Sequence, residues 1–272
     1  MAGAPGSTFS TAGHNLHRLR RSALSPFFSK RQIANNDVQI KEKIEHLCSR
    51  LRTCMENEEV VRLDAAFMAL TMDIITHFAF GASYEMLDEP DFNLKWKETV
   101  IDGSANGVML RQFPSMLPVL KATPLWLIEY GDAKAAKLVA WQHMIRKQVD
   151  EILAKNQAGK RAEGTIFQAV LDSDLPPDEK SADRLQDEAQ TVVGAGSETT
   201  AKTLAFLLFF LTSDPTKRKR LRDEIMTVGP EPDGSFSLAK LEQLPYLVSE
   251  LLPDSLPLLT QSRPLALQKA YG

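Results

Sequence analysis

The sequence lacks the features that announce several large classes of protein. Only two of its 272 residues are cysteine, Cys48 and Cys54, so a disulfide framework is not the design and a reducing compartment is the default. It has no positive excess either: the formal net charge is -3, which argues against a general nucleic-acid binder. Met1–Gly13 shows neither the basic start nor the apolar centre of a secretory leader. The longest apolar run, Leu204–Leu211, falls far short of the ~20 residues that cross a bilayer. As written, the chain is expected to be soluble or peripheral. Strand-like alternation is sparse, and neither an internal repeat nor a long low-complexity tract stands out.

What is present is apolar residues at helical spacing, with a hydrophobic content of 43 % that suffices for a substantial core. Residues 1–13, rich in Gly, Ser and Thr, read as a flexible N-terminal segment, followed by a basic amphipathic stretch, His14–Phe28, interrupted by Pro26. Arg31–Glu56 reads as one long helix carrying Ile33, Ile40, Ile44, Leu47 and Leu51 on one face. Asp64 caps the next helix, closed by Gly81. Asp91–Leu110 is a further candidate, punctuated by Gly103 and Gly107, whereas Pro114, Pro118 and Pro124 prevent one regular helix over Phe113–Leu127. Asp132–Leu153 and Thr165–Leu171 are again helical. Ser181–Thr212 is the longest periodic segment; it starts charged and becomes almost wholly apolar after Val192, as expected of a helix in the middle of a large core. Asp214 and Pro215 restart the chain in the order cap, first helical residue. Leu238–Leu247 is short and helical, and after it three prolines at irregular spacing leave no clean period.

Within the long segment stands Ala195-Gly196-Ser197-Glu198-Thr199-Thr200, an odd sequence for a core helix. A helical glycine costs about 1 kcal/mol relative to alanine. A carboxylate among apolar residues needs partners, and threonines bond back to the preceding turn. Local rules broken together suggest a functional site. Ala195 and Thr199 share a face and Gly196 neighbours Thr199, which gives a small side chain, a hydroxyl and a notch for something flat, with room for a local widening of the helix. The structural alternative is a buried helix with a packing glycine and self-satisfied threonines.

The string Glu188–Ala201 resembles the central helix of the cytochrome P-450 family, whose Ala/Gly-Gly-x-Asp/Glu-Thr-Thr/Ser motif lies across the haem. Four further stretches agree in the family's order. His14–Arg21 with Leu24–Ser29 resembles the helix that contacts the haem carboxylates, His17 standing at the tryptophan and Arg21 at the arginine of the Trp-x-x-x-Arg pattern. Asp172–Ser181 resembles the fungal approach to the central helix, Asp214–Ile225 the helix after it, and Leu238–Leu247 the lead-in to the Glu-x-x-Arg helix. The resemblance implies a mainly α fold with few or no strands, the central part of the cytochrome P-450 fold with a long buried oxygen-pocket helix, over residues 14–247. It implies haem as cofactor and monooxygenation of an apolar small molecule, hinting at fungal secondary metabolism, with electrons from NADPH through a reductase. It gives Thr199 and Glu198 a part in proton delivery, sets Ala195 and Gly196 against the haem face, and has His17 and Arg21 hold the haem carboxylates.

The sequence departs from the family at both ends. The Glu-x-x-Arg pair and the cysteine loop that supplies the axial iron ligand do not follow, and Cys48 and Cys54 lie near the long helix with no glycine loop around them. Catalytic incompleteness of the chain as given is therefore the expectation, and the metal-ligand set is empty. A full-length relative would sit at the endoplasmic reticulum membrane, whereas this chain, with no anchor of its own, is expected to be cytoplasmic or peripheral. Residues 248–272 read as an aberrant tail of the kind a retained intron yields, since Val248-Ser249 is encodable as GTGAGT and the last codons, in another frame, as Glu-Gly-Leu-Arg. The alternative function is that of a non-catalytic helical protein acting, if at all, by binding. His14 with His17 as a metal pair, and the basic run Lys217–Arg222 as a docking patch, each stand beside the plainer reading of a solvated helix face.

Overall fold

A computed structural model describes residues 4–251 apart from 100, 102–111, 114, 116–117, 120–121, 132, 162–163 and 233. Among the described residues the chain is helical and contains no strand. Gly103, Gly107, Pro114, Asp132 and the tail beyond Leu251 lie outside them. The chain divides into two compact units, residues 1–202 and 203–272.

In the first unit α1 (His14–Leu24) gives way to a 3-10 turn, Ser25–Phe28, because Pro26 has no N–H for a continuing helix. The expected Arg31–Glu56 helix is two: α2 (Lys30–Asn35), capped by the Ser29 hydroxyl, and α3 (Asp37–Glu56). Asn36, at φ -101° and ψ 6°, leaves helical geometry between them. The apolar face foreseen across both is only partly covered: Leu47 is buried, whereas Ile33 and Ile40 line an open groove of about 340 Å³ with Phe28, Ile74, Ile75 and Phe78.

The next helix, α4 (Leu63–Phe80), is long and apolar enough by composition to cross a membrane, but here it is a core helix with eleven buried residues. Gly81 ends it at φ +76°, a left-handed position that glycine takes without penalty. The buried Asp73 carboxylate accepts the Met86 and Leu87 N–H groups at 2.8 and 3.0 Å and so ties the following loop to α4. Residues 94–99 are helical, short of the expected start at Asp91, because Asp91, Phe92 and Asn93 adopt positive φ.

Helices α5 (Leu125–Gly131) and α6 (Ala133–Gln157) pack on each other, and α6 buries Trp141, Ile145, Val149 and Ile152 at helical spacing. The short α7 (Ile166–Asp172), capped by Thr165, buries Ile166, Phe167 and Val170, and Phe167 stacks on Phe80 at 5.1 Å.

The long helix α8 (Ala182–Ser213) follows, with the unit boundary falling between Lys202 and Thr203. Leu185, Ala189, Val193, Ser197 and Ala201, each four residues apart, form one buried ridge. The charged start of α8 is buried as well. Arg184 is 6 % exposed and meets Glu188 at 2.5 Å, and its Nε lies 3.2 Å from Glu179. Glu179 in turn receives two N–H groups of Arg20 on α1, at 2.6 and 2.9 Å. Thr8 donates both its backbone N–H and its hydroxyl to Glu188, and the Gly6 N–H donates to Asp187 at 2.7 Å. Residues 4–11 are therefore turned and pinned, with Ala4 and Ser7 fully buried, where the composition suggested a flexible segment. Buried carboxylates on α8 need donors, and this backbone supplies them.

In the second unit, α9 (Pro215–Val228) begins as expected, its Asp214 side chain accepting the Thr216 and Lys217 N–H groups. The expected Leu238–Leu247 helix splits into α10 (Leu238–Leu241) and α11 (Pro245–Leu251). Proline cannot continue the first of these but suits the first position of the second. The Glu224 carboxylate accepts the Tyr246 and Leu247 N–H groups at the start of α11.

Two stability predictions follow from the paired carboxylates. Removing one member of a buried pair strands the other, so Glu188→Gln is expected to destabilise by about 3–5 kcal/mol. Glu198→Gln, whose partner Lys202 is 60 % exposed, should cost under about 1 kcal/mol. Urea midpoints followed by circular dichroism separate the two, and equal losses would contradict desolvation of the Arg184–Glu188 pair. The second prediction concerns Asp64. Burial alone raises its carboxyl, but hydrogen bonds from Arg62 and Lys97, with their charges, bring it from 3.8 down to about 2. A depressed acid stabilises the fold above its unfolded value and loses that contribution as pH falls through the folded one. Asp64→Asn should therefore cost at most about 2 kcal/mol at pH 7, less what solvent screens. The difference from wild type should close between about pH 4 and pH 2, which paired denaturation curves at the two ends of that window would test.

Candidate active site

The motif Ala195–Thr200 occupies two turns of α8, and the helix stays regular through it, without the local widening the sequence suggested. The two hydroxyls that bond back, Ser197 to Val193 O at 2.8 Å and Thr199 to Ala195 O at 2.7 Å, do so without breaking the ladder. Residues two apart on a helix stand ~200° apart around its axis. Ser197 accordingly lies wholly inside, while Ala195, Thr199 and Thr200 are exposed.

Gly196 requires a correction. Sequence spacing set it beside Thr199 as a notch on the outward face. A Cβ at Gly196 would instead stand 2.7 Å from Ile75 Cγ1, so the missing side chain makes room for α4. The glycine permits close helix–helix approach, which is the packing alternative weighed from the sequence. Beside it, the Thr71 hydroxyl of α4 lies 2.9 Å from the Ser197 carbonyl oxygen.

The outward face carries chemistry of one kind. Ala195 offers little bulk and Thr199 a hydroxyl. Glu198, partly exposed on the adjoining side, pairs with Lys202 one turn on, at 2.5 Å. Lys202 went unnoticed in the sequence, although an acid and a base four residues apart on a helix are a readable signal. Thr71 and Ile75 offered no local signal, since their importance depends on which helix they face.

On α1, His17 and Arg21 are one turn apart and share a face. His17 is half-buried, and the Arg21 side chain is exposed, with no acceptor among the described residues. Its neighbour Arg20 is consumed by Glu179 and Thr11. Among the described residues, no hydrogen bond joins the α1 pair to the Ala195–Thr199 face.

This donor set fits part of a haem group. An uncommitted guanidinium beside an imidazole suits its carboxylates, and the small outward face of α8 suits a flat ring. Among the described residues no cluster of three His, Cys, Asp or Glu side chains could hold a metal ion, whereas a haem iron would need a single thiolate. Cys48 is half-buried on α3, and desolvation and the neighbouring Glu59 push the Cys54 thiol up, away from the thiolate an iron would need.

Comparison with known proteins identifies the family. The cytochrome P450 family model matches residues 4–251, which carries the match through α11, past Leu247 where the sequence reading ended it. Conidiogenone synthase PchP450 of Penicillium rubens is 36 % identical over 247 residues, 91 % of this chain and 49 % of the relative. Tryptophan 6-hydroxylase fscE of Fusarium equiseti is 35 % identical over 92 % of the chain and 49 % of its own length. Cytochrome P450 monooxygenase TRI4 of Fusarium sporotrichioides is 33 % identical over 89 % and 47 %. The chain thus spans about half the length of the curated relatives it matches, and it belongs to the cytochrome P450 family.

Proposed function

We propose that this chain supplies the oxygen-handling helix and the carboxylate-binding helix of a haem-dependent monooxygenase of fungal secondary metabolism. The observation that carries this reading is the outward face of α8, where Ala195 and Thr199 stand exposed on a helix otherwise fixed into the core by its opposite ridge. Haem, when bound, would supply the activation of dioxygen. Arg21 and His17 would hold its carboxylates through charge-assisted hydrogen bonds. Ala195 keeps the approach to α8 open. The Thr199 hydroxyl, which donates to the Ala195 carbonyl, is the exposed O–H on this face that would take up one proton and pass on another. Glu198, paired with the exposed Lys202 at the helix surface, is the nearby carboxylate that would resupply that proton.

The substrate of the whole protein is proposed to be an apolar small molecule, and its electron source an NADPH-dependent reductase at the endoplasmic reticulum membrane. Fungal relatives named as a conidiogenone synthase and a tryptophan 6-hydroxylase stand at similar identity, and neither product is carried over. A second reading has an observation of its own. On that reading the chain as given acts by binding: both thiols lie on α3, and desolvation with Glu59 pushes that of Cys54 up, away from the thiolate form.

Haem titration of the purified chain, followed by reduction under carbon monoxide, tests both readings. The expected outcome is a haem complex without a thiolate-type band. Arg21→Ala should weaken the affinity about tenfold or more, as loss of a charge-assisted hydrogen bond would. A thiolate-type band would overturn the second reading and give Cys48 or Cys54 a role. Haem binding indifferent to Arg21 would remove α1 from the site.

A further inference from the structure

We propose that Thr71 and Ile75 of α4 are positioning residues that set the rotation of α8, and with it the direction in which Thr199 and Glu198 point. The proposal rests on the proton-handling reading of those two residues. Its structural part stands separately.

Three contacts run down one face of α4. Met68 packs with Ala201, the Thr71 hydroxyl reaches the Ser197 carbonyl oxygen at 2.9 Å, and Ile75 fills the space that Gly196 leaves. As the α4 numbers rise the α8 numbers fall, so the two helices run antiparallel here. Met68, Thr71, Ser197 and Ala201 are all buried, so water does not compete for this hydroxyl or this carbonyl.

The Thr71 contact acts on a particular bond. The Ser197 carbonyl belongs to the planar peptide unit whose other end is the Glu198 N–H. Tethering that oxygen therefore orients the amide plane from which Glu198 and Thr199 continue. Ile75, against Cα of Gly196, blocks the roll of α8 towards α4. A carbonyl tether and an adjacent wall together fix rotation about the helix axis. That rotation matters at the far side: with side chains ~5–6 Å from the axis, a ~20° roll displaces the outward groups by ~2 Å. A misplacement of about 1 Å already costs a catalytic group on the order of a hundredfold.

Thr71 carries one proton and has three carbonyl oxygens in reach, those of Phe67 at 2.9 Å, Met68 at 3.2 Å and Ser197 at 2.9 Å. Thr76, on the same helix, is a natural control. It is fully buried and bonds back to Met72 and Asp73 of its own helix, with no acceptor on α8. A hydroxyl that merely satisfies α4 predicts like behaviour from both threonines. One that holds α8 predicts a difference.

The test compares Thr71→Val, Thr71→Ser and Thr76→Val in the full chain by amide hydrogen exchange at residues 198–202 and by the Ser197 carbonyl carbon shift. Thr71→Val should speed exchange there by about tenfold and move the carbonyl resonance, as loss of one buried hydrogen bond would. Thr71→Ser should restore both, and Thr76→Val should change neither. Equal effects from the two valine variants, or none from Thr71→Val, overturn the tether. Gly196→Ala should lower Tm by several degrees, and Ile75→Ala in the same chain should remove most of that loss. An additive pair would overturn the wall. With haem added, Thr71→Val should shift the Soret band and Thr71→Ser should not. An unchanged Soret band beside altered exchange overturns the positioning role while leaving the tether. If the wild-type chain takes up no haem, the reading of the site fails instead, and exchange still decides the tether.

Discussion

The first unit depends on a line of buried charge that joins three separate stretches of chain. Arg20 on α1, Glu179 before α8, and Arg184 and Glu188 within α8 alternate in sign, and the four side chains range from 3 % to 14 % exposed. Taking such groups out of water costs several kcal/mol each, and mutual attraction offsets this only when the remaining lone pairs and protons are also met. Thr8 meets two lone pairs of Glu188, and Thr11 takes one Arg20 N–H. The segment before α1 is thereby recruited into the core. The Nη1 of Arg184 still keeps both its N–H groups without a partner among the described residues, the consequence of a planar five-donor fork whose acceptors lie on two sides. Because each member's desolvation is tolerable only with its neighbours in place, the network fixes α1, the residue 4–11 turn and the start of α8 as one assembly.

With its start held in this way, α8 presents two different faces further along. The ridge from Leu185 to Ala201 meets the core, and its smallest members lie where α4 comes nearest. Small residues at that crossing let two backbones approach, and the side opposite then faces away from α4 by geometry alone. Thr199 is outward because Ser197 is inward. The same ~100° step per residue that buries the ridge thus aims the hydroxyl.

Much of this was legible in the sequence wherever the cause is local. Asp214 caps α9 because a short polar side chain reaches its own following N–H groups, and Gly81 ends α4 because the left-handed turn there disfavours a Cβ, whereas Asp64, expected to cap α4, lies inside its first turn with Arg62 at the cap position. The Ala195–Thr199 face was readable for the same reason, being a matter of spacing within one helix. What failed to show depends on partners far along the chain. Residues 4–11 look flexible until Asp187 and Glu188, some 180 positions later, are seen to accept their N–H groups. The direction of Gly196 could not be told without Ile75. The hydropathy of α8 misled in one respect: its charged start is the more deeply buried part and the apolar stretch after Val192 has an exposed side, since pairing rather than residue type decides whether a charge can be buried.

Glu188 and Glu198 make that last point on a single helix. Moving a proton requires a carboxylate to change partners. Glu188 would have to release Arg184 and two donations from Thr8 in a dry interior, leaving buried donors unmet at about 1–3 kcal/mol each. The Glu198–Lys202 pair has a lysine 60 % exposed, and pairs of this spacing contribute roughly 0.3–0.5 kcal/mol, with water at hand to replace the lysine. The two residues are chemically identical, yet the pair that Glu198 makes with Lys202 is exchanged for water at lower cost than the buried pair of Glu188. The difference along α8 comes from environment: Glu188 lies in a dry network that holds the fold, whereas Glu198 pairs with an exposed lysine at the surface, which supports the proton role proposed for it.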